Sequence, residues 1–406
     1  MRRRIAVTLA SLGFVGALAG LVACGNDEAP KTPARTEPPA TSPPDASDPS
    51  TAKRAPSPAK DPKRPAFLSV KECGSCHVEI YAEWKASWHG QAMTDPLFLR
   101  LSDGLKQEEC VRCHAPVPLR ESENWDTPIA RSDRREDAVS CLTCHQSGGN
   151  VTGPFDGLSG ACRPVMDPDQ RDVTKMCFAC HNQHKTGEEW VAGPYHPNAP
   201  APRRVEAKTC IDCHMPQVDR PLVAGGPVRR GRRHTWPGGH DMAQLQKAVA
   251  LDVEVTNEAG AARITTWVTN RGAGHNIPTD ARHRSFDVYV KIWDADGKLV
   301  MDPLDPDPAM QVRCQTTKFR LNYRNSGLAD TQIPPLARAS KMPMDSERPT
   351  WKGYVDLPGV TKGRGEAWLV YRMTPEDVLV AESLTDASFH PYRARRVASV
   401  EFKFGD

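Results

Sequence analysis

Hydrophobic and polar residues alternate along the C-terminal part of the chain, from about residue 247 onward. Residues 248–257 are the clearest example, because alternate positions from 249 to 255 carry only valine or leucine. This period of two is typical of a β-strand with one buried face. Several such strands, separated by turns, predict an antiparallel β-sandwich of the immunoglobulin-like type with a proline-rich insertion through residues 301–350. The other strands are predicted at 263–270, 285–293, 366–373 and 399–404.

The preceding region, residues 67–245, shows a different pattern. Its predicted helices are short, are separated by glycine and proline, and show little amphipathic period. Aromatic residues make up only 6% of the chain, so large side chains for a core are scarce. We therefore expect short helices and loops here, packed around something other than apolar side chains, and an α+β chain as a whole.

Residues 1–23 have the features of an export signal. Three arginines precede an apolar stretch from Ile5 to Ala19, and a small residue then precedes Cys24. This ending resembles the lipobox of bacterial lipoproteins, which implies cleavage before Cys24 and lipid on its thiol. An ordinary signal peptide or an uncleaved anchor are the alternatives. We expect an exported protein, held on a bacterial membrane by its lipid and facing the periplasm or the cell surface.

Residues 24–66 follow this signal and are rich in proline, alanine, serine and threonine. They contain almost no large apolar side chain, so the segment cannot bury enough surface to fold. We predict a disordered tether behind the lipid anchor. The predicted organisation is then 1–23 signal, 24–66 anchor and tether, 67–245 helical domain and 246–406 β-sandwich domain.

Five copies of the pattern Cys-x-x-Cys-His lie between residues 73 and 214, and they use ten of the 13 cysteines. Two thiols at this spacing can add to the two vinyl groups of one haem, and the histidine that follows then lies beside the iron as its proximal ligand. The predicted attachment residues are Cys73, Cys76, Cys110, Cys113, Cys141, Cys144, Cys177, Cys180, Cys210 and Cys213. The predicted proximal ligands are His77, His114, His145, His181 and His214.

Three other uses of paired cysteines fit the sequence less well. A zinc ribbon combines two Cys-x-x-Cys units into one site, so five units leave one unpaired and give the histidine no role. A thioredoxin-type redox pair needs a βαβ context that the sequence lacks, and disulfide clips do not need the histidine. We therefore predict five covalently bound haem c groups, with iron as the metal, whose macrocycles form the core of the helical domain.

Cys162 and Cys314 lie outside the five motifs. In an oxidising compartment the two thiols can pair and join the two domains, or each can remain a free thiol. The sequence does not fix the distance between them, so both possibilities stay open.

Residues 73–93, CGSCHVEIYAEWKASWHGQAM, resemble the opening of the cytochrome c-554-like family of multihaem c-type cytochromes. In that family the first haem motif is followed about a dozen residues later by Ser-x-His, and Ser87 and His89 match this pattern. The resemblance implies that His89 is a distal haem ligand.

Two further segments, RRHTWPGGHD and NRGAGHNIPTD, are similar to segments of the same broad group of cytochromes. The similarity implies that His234, His240 and His275 are distal ligands as well. Asp280 stands where the relatives usually have glycine, which leaves the form of this turn open.

His184 lies three residues beyond a proximal histidine. It cannot reach the opposite face of that iron, so it is a candidate distal ligand for a neighbouring haem, with an ordinary surface histidine as the alternative. Five distal candidates then match five proximal ones. The remaining histidines have no motif context, and an ordinary structural role is expected for His196, His283 and His390.

Two histidine ligands on every iron are typical of a low-potential electron carrier. We therefore expect electron transfer between membrane-side and periplasmic or cell-surface partners, such as donor and acceptor cytochromes or a quinol-oxidising membrane protein. The alternative is a multihaem oxidoreductase acting on nitrite or hydroxylamine at one haem with an open position. Enzyme activity is the less favoured possibility, because the Cys-x-x-Cys-Lys motif that the resemblance associates with nitrite reduction does not occur here.

Charge argues against nucleic acid as a partner. The chain has 53 lysines and arginines against 50 acidic residues, and loss of the signal removes three arginines. Haem propionates would then make the mature protein mildly acidic. A local run of arginines precedes His234 and is open to three roles: pairing with propionates, docking an acidic partner, or a solvated loop. They are Arg229, Arg230, Arg232 and Arg233.

Overall fold

The structure is a computed structural model that describes residues 69–121, 127–155, 164–167, 174–201, 204–281, 284–304, 317–320, 331–340, 354–374 and 394–405. The predictions for the signal, the tether, Cys24, Cys162, Cys314, His283 and His390 lie outside these residues. The helices of the described part are short. They are α1 Val70–Cys76, α2 Val78–Ala86, α3 Pro96–Leu101, α4 Glu108–His114, α5 Cys141–His145, α6 Thr174–His181, α7 Thr186–Val191, α8 Cys210–His214 and α9 Met242–Ala248.

Strands are few before residue 249 and dominate the described residues after it. They are β1 Gln146–Ser147, β2 Asn150–Gly153, β3 Val165–Met166, β4 Gln217–Pro221, β5 Val228–Arg232, β6 Val249–Glu258, β7 Ala261–Asn270, β8 Ser285–Asp294, β9 Leu299–Met301, β10 Thr317–Arg320, β11 Arg338–Ala339, β12 Tyr354–Pro358, β13 Gly363–Arg372 and β14 Arg395–Phe404.

Two larger antiparallel sheets are built from the strands that follow α9. One has the order β10-β8-β13-β14, with β9 also paired to β8, and the other has the order β11-β7-β12, with β6 also paired to β7. Between α8 and α9, β4 and β5 form a separate antiparallel hairpin. Each of the five segments with alternating polarity lies in a strand to within one residue at its ends, so the predicted strands are confirmed.

Both sheets contribute side chains to one apolar core. In β7 the side chains alternate between buried and partly exposed along the whole strand, with Ile264 and Val268 fully buried. In β8, Phe286 and Ile292 are at most 1% exposed. The mixed helix and strand content of the predicted α+β class is therefore confirmed, while the immunoglobulin-like type of the sandwich stays a prediction.

The helical part of the chain has only small apolar clusters among its described residues. One comprises Met93, Val111, Ala115 and Ala138, and another contains Leu119, Met176 and Ala179. Local capping helps the short helices to form. At α8, Thr209 and Asp212 form a reciprocal capping box, in which the Asp212 carboxylate accepts a 2.9 Å bond from the Thr209 backbone N–H.

Within the described residues, no helix is long and apolar enough to span a membrane. All of these residues belong to one compact unit, Pro56–Asp406. The division into domains at residue 246 stays a prediction.

Candidate functional site

The five Cys-x-x-Cys-His motifs occupy equivalent positions in the fold, because each lies at the end of a short helix. The first motif ends α1 with His77 as its C-cap, and the other four end α4, α5, α6 and α8 with the histidine as the last helical residue. Residues three apart on a helix lie on the same face. The two thiols of each motif therefore project from the same side of the helix, as attachment to one haem requires.

The imidazole rings of four motif histidines are fixed by backbone carbonyls. A carbonyl accepts only from a protonated nitrogen, so Nδ1 carries the hydrogen and Nε2 keeps the lone pair that an iron ion needs. The Nδ1 contacts are His77 to Leu222 O at 2.8 Å, His114 to Ala92 O at 2.7 Å, His145 to Thr152 O at 3.0 Å and His214 to Pro237 O at 2.7 Å.

Three motif histidines each face a second histidine ring. The ring centres are 6.1 Å apart for His181 and His89, 6.3 Å for His145 and His234, and 6.4 Å for His214 and His275.

These distances provide a test of fit for haem iron. Metal–imidazole bonds are about 2 Å long and a ring nitrogen lies about 1.1 Å from its ring centre, so two rings on opposite faces of one metal have centres about 6 Å apart. In His234 and His275, Nδ1 lies 3.0 Å from Arg232 O and 2.8 Å from Asn276 O, which again leaves Nε2 for the metal. The residues present fit a haem iron with two histidine ligands.

Burial keeps these second histidines neutral. It lowers the pKa of His89 to about 3, with a further contribution from nearby histidines, and lowers those of His234 and His275 to about 4. A histidine must be neutral to bind a metal, so these side chains are already in the required form at neutral pH.

His184 and His240 are the two other predicted second ligands. Gln183, next to His184, donates to Cys113 Sγ at 3.2 Å, so the turn between α6 and α7 contacts the second motif. The His240 ring lies 5.3 Å from that of Trp88 and is buried enough to lower its pKa to about 4. The predicted roles of both residues as ligands stay predictions. His196 packs edge-on against Trp190 and its Nδ1 accepts from Asn198 N at 3.1 Å, as a structural histidine would.

The five motifs form a branched set of neighbours. The thiols of Cys73 and Cys141 are close enough to interact, which joins the first and third motifs, and those of Cys113 and Cys180 join the second and fourth. Cys144 and Cys180 pack against one apolar cluster, which joins the third and fourth. Since α6 also contacts α8, the fourth motif lies next to the second, third and fifth.

Glu83, on α2, fixes the segment that carries His234. Its carboxylate accepts from the His234 backbone N–H at 2.9 Å and from both terminal nitrogens of Arg220 at 2.7 and 2.8 Å. Arg220 lies on β4, so a residue near the first motif positions both the β4–β5 hairpin and a histidine that faces the third motif. Glu83 has no signal in the sequence, because a glutamate in a short helix has the pattern of an ordinary surface residue.

A second set of contacts fixes the loop of His275. Asn270 is fully buried, and its side-chain nitrogen donates to His275 O at 2.9 Å and to Ile333 O at 3.1 Å. From the helical part, the Glu189 carboxylate on α7 accepts from the backbone and side-chain nitrogens of Asn276 at 3.1 and 3.0 Å. The sheet and α7 thus hold the same loop from two sides.

The arginine run before His234 lies in and directly after strand β5, and it is not a solvated loop. Arg230 pairs with Asp219 at 3.0 Å, Arg232 with Asp212 at 2.7 Å, and Arg233 with Glu83 at 3.0 Å. These charges are therefore largely balanced by neighbouring carboxylates of the same chain.

Comparison with known proteins gave one match by sequence and one by structure. Residues 72–146 match the sequence profile of the family described as Cytochrome c554 and c-prime. The crystal structure of a penta-haem cytochrome c552 from Thermochromatium tepidum has a similar fold, with a TM-score of 0.59 and 18% identity over 84% of this chain and 99% of that chain. No curated protein matched the chain by sequence. The matched segment and the shared fold together confirm the predicted resemblance to the multihaem c-type cytochromes.

Proposed function

We propose that the protein is an electron-transfer protein that carries five covalently attached haem c groups, one on each Cys-x-x-Cys-His motif. The observation that carries this proposal is the pairing of three motif histidines with second histidines at 6.1–6.4 Å between ring centres. When bound, haem c supplies a one-electron ferric/ferrous couple. The ten motif cysteines would hold the haems, and the paired imidazoles would bind the iron and keep small molecules away from it.

The ligand assignment follows the ring pairs. His89 would complete the site of His181, His234 that of His145, and His275 that of His214. This leaves His184 and His240 for the two remaining motif histidines, and the position of Gln183 beside Cys113 favours His184 for the second motif. Electrons would pass between the first, third and fourth motifs in series, with the second and fifth as branches from the fourth.

The setting proposed for this electron carrier is supported by the sequence alone. We propose export, a lipid anchor on Cys24 and a tether through residue 66, so that the haem-bearing part reaches partners in the periplasm or at the cell surface. Redox proteins are the expected partners, with a quinol-oxidising membrane protein or a cytochrome on the donor side. The two sheets after α9 would form an immunoglobulin-like sandwich that contributes His275 to the fifth haem site.

A second candidate is an oxidoreductase that acts on a small nitrogen compound. The observation in its favour is that, in the described part of the chain, the His77 ring has no opposing histidine ring like those of the three pairs. An iron with one open position can bind a substrate or a gas.

Low-temperature electron paramagnetic resonance on the purified ferric protein distinguishes the two candidates, after haem content has been measured by the pyridine haemochrome assay. Electron transfer predicts five haems, all low-spin. One equivalent of high-spin signal that shifts on addition of nitrite or hydroxylamine would favour the enzyme. Fewer than five haems would contradict the proposed cofactor content.

A pair of variants tests the ligand assignment. His234→Ala should convert one low-spin haem to high-spin, because the third motif then loses its second imidazole. His196→Ala is the matched control, since His196 lies outside the ring pairs and should leave the spectrum unchanged. Unchanged spectra for both variants would contradict the role of His234.

A further inference from the structure

The fourth motif differs from the others in what lies next to its histidine. Four motif histidines have Nδ1 on a neutral backbone carbonyl, at 2.7–3.0 Å. His181 instead has its Nδ1 3.7 Å from Oδ1 of Asp280, a carboxylate. The fourth motif is also the one that adjoins three others, so a charge placed here acts at the branch point of the set.

Asp280 is held in this position by its backbone and by a second charge. Its φ angle is +75°, in the left-handed region that aspartate and asparagine tolerate better than most residues, so the turn keeps a conformation that glycine also favours. Its other carboxylate oxygen lies 3.3 Å from Arg284 Nη2. This ion pair with Arg284 favours the ionised form of the Asp280 carboxyl group.

The two kinds of neighbour differ in charge. The Asp280 carboxylate carries a full negative charge 3.7 Å from His181 Nδ1, whereas a backbone carbonyl carries only a dipole. Asp280 therefore stabilises positive charge on this side of the fourth motif more than a carbonyl does at the others.

A carboxylate beside the Nδ1–H of an axial histidine makes that ligand a stronger electron donor, because it draws the proton away from the ring. It also adds a negative charge close to the metal. Both effects stabilise ferric over ferrous iron and lower the reduction potential. Arg284 acts in the opposite sense, since its positive charge offsets part of the carboxylate's charge.

Resting on the proposed function, we propose that Asp280 is a positioning and tuning residue that lowers the reduction potential of the haem on Cys177, Cys180 and His181, and that Arg284 limits this effect. The haem at the branch point would then be harder to reduce than the same haem with a backbone carbonyl, in place of the carboxylate, beside Nδ1 of His181. Electrons would leave it readily for the neighbouring sites.

The test is a spectroelectrochemical titration of the holoprotein with two substitutions at one position. Asp280→Asn removes the charge and keeps the size and the tolerance of positive φ, and Asp280→Gly introduces the residue that the resembling cytochromes usually have. In both variants one of the five midpoint potentials should rise clearly, and the other four should change less. Arg284→Gln should shift the same midpoint downward.

Haem content and spin state separate this inference from the proposed function. The tuning role of Asp280 is wrong if an Asp280 variant holds five low-spin haems and none of its midpoint potentials changes. It is also wrong if Asp280→Asn and Arg284→Gln shift the same midpoint potential in the same direction. If the unaltered protein lacks five low-spin haems, the proposed function itself fails. If the Asp280 variants do not assemble with haem, the Arg284→Gln variant alone tests the tuning role: a downward shift of one midpoint potential supports it and an upward shift contradicts it.

Discussion

One extensive apolar core is shared by strands β6 to β9 and β12 to β14, whereas the helices that carry the five motifs rest on clusters of a few side chains. The sheet core includes residues from both sheets, such as Ile264 of β7 and Ile292 of β8, which are fully buried. The largest of the motif-region clusters described above has four buried members. Apolar side chains therefore account for the stability of one region and not of the other.

This difference indicates where the haems would contribute most. The motif helices are five to eight residues long, well below the roughly 12–15 residues at which isolated helices become stable in water. Covalently attached macrocycles would supply the missing apolar surface. The sheets need no such addition, and the two regions should respond differently to loss of haem.

The largest effect is expected when haem attachment is abolished. Replacing all ten motif cysteines by alanine in the full chain should leave β6–β8, β13 and β14 folded, while α1, α4, α5, α6 and α8 lose their structure. Hydrogen exchange measured by mass spectrometry would show slow exchange only in the strands. Replacing Cys162 and Cys314 instead is the control, because it leaves every motif intact. Slow exchange in the motif helices of the haem-free chain would contradict the comparison.

A smaller effect is expected from equal deletions in the two regions. Val268 in β7 and Val111 in α4 are both fully buried, so replacement of each by alanine removes the same atoms. We expect Val268→Ala to lower the free energy of unfolding by about 2 kcal/mol, since it leaves a cavity in the larger core. Val111→Ala should cost about half as much, because its cluster has few apolar neighbours. Urea denaturation of the two holoproteins gives the comparison, and equal costs would contradict it.

The smallest effect concerns acid stability and Glu83. Burial raises the pKa of Glu83, but Arg220, the His234 N–H and Arg233 lower it further, so its value in the folded protein lies below the ordinary 4.5. The ionised carboxylate therefore stabilises the fold above pH 4.5, and this stabilisation is lost as the pH falls through the lower folded value. Glu83→Gln should make the free energy of unfolding less dependent on pH below 4.5.

Glu79 provides the control for this measurement. It lies 3.7 Å from the same Arg220 but its side chain is 68% exposed, against 13% for Glu83. Glu79→Gln should leave the acid limb of the stability curve close to that of the unaltered protein. A similar change in both variants would show that the hairpin as a whole, and not the Glu83 contacts, responds to acid.

Local patterns predicted the parts of the molecule that depend on local physics. Alternating polarity located β6, β7, β8, β13 and β14, because a strand with one buried face needs an apolar side chain at every second position. The spacing within each motif predicted that two thiols suit one haem, and the structure adds that each motif ends a short helix, on which residues three apart share a face. The β4–β5 hairpin was not predicted, since its strands lack alternating apolar residues and ion pairs such as Arg230–Asp219 stabilise it instead.

The histidine pairs depend on contacts between distant parts of the chain. Resemblance to known cytochromes indicated His89, His234 and His275, but nothing in the residues around them shows which motif each one faces. That is decided by tertiary contacts such as Glu83 with His234 and Asn270 with the His275 loop. The Asp280 contact with His181 is of the same kind, and sequence pattern showed only an unusual residue in a turn.

The separation of paired histidines along the chain has a consequence for assembly. Haem attachment would use five consecutive residues, whereas the ring pairs that would coordinate iron join residues about 60–90 positions apart, and such distant contacts form more slowly. In a chain that emerges N-terminus first, His89 is already present when His181 appears, but His145 must wait for His234 and His214 for His275. The fourth haem would therefore reach its final coordination before the third, and the fifth only after β7 has been exported. Transient high-spin haem would report how far a maturing molecule has progressed.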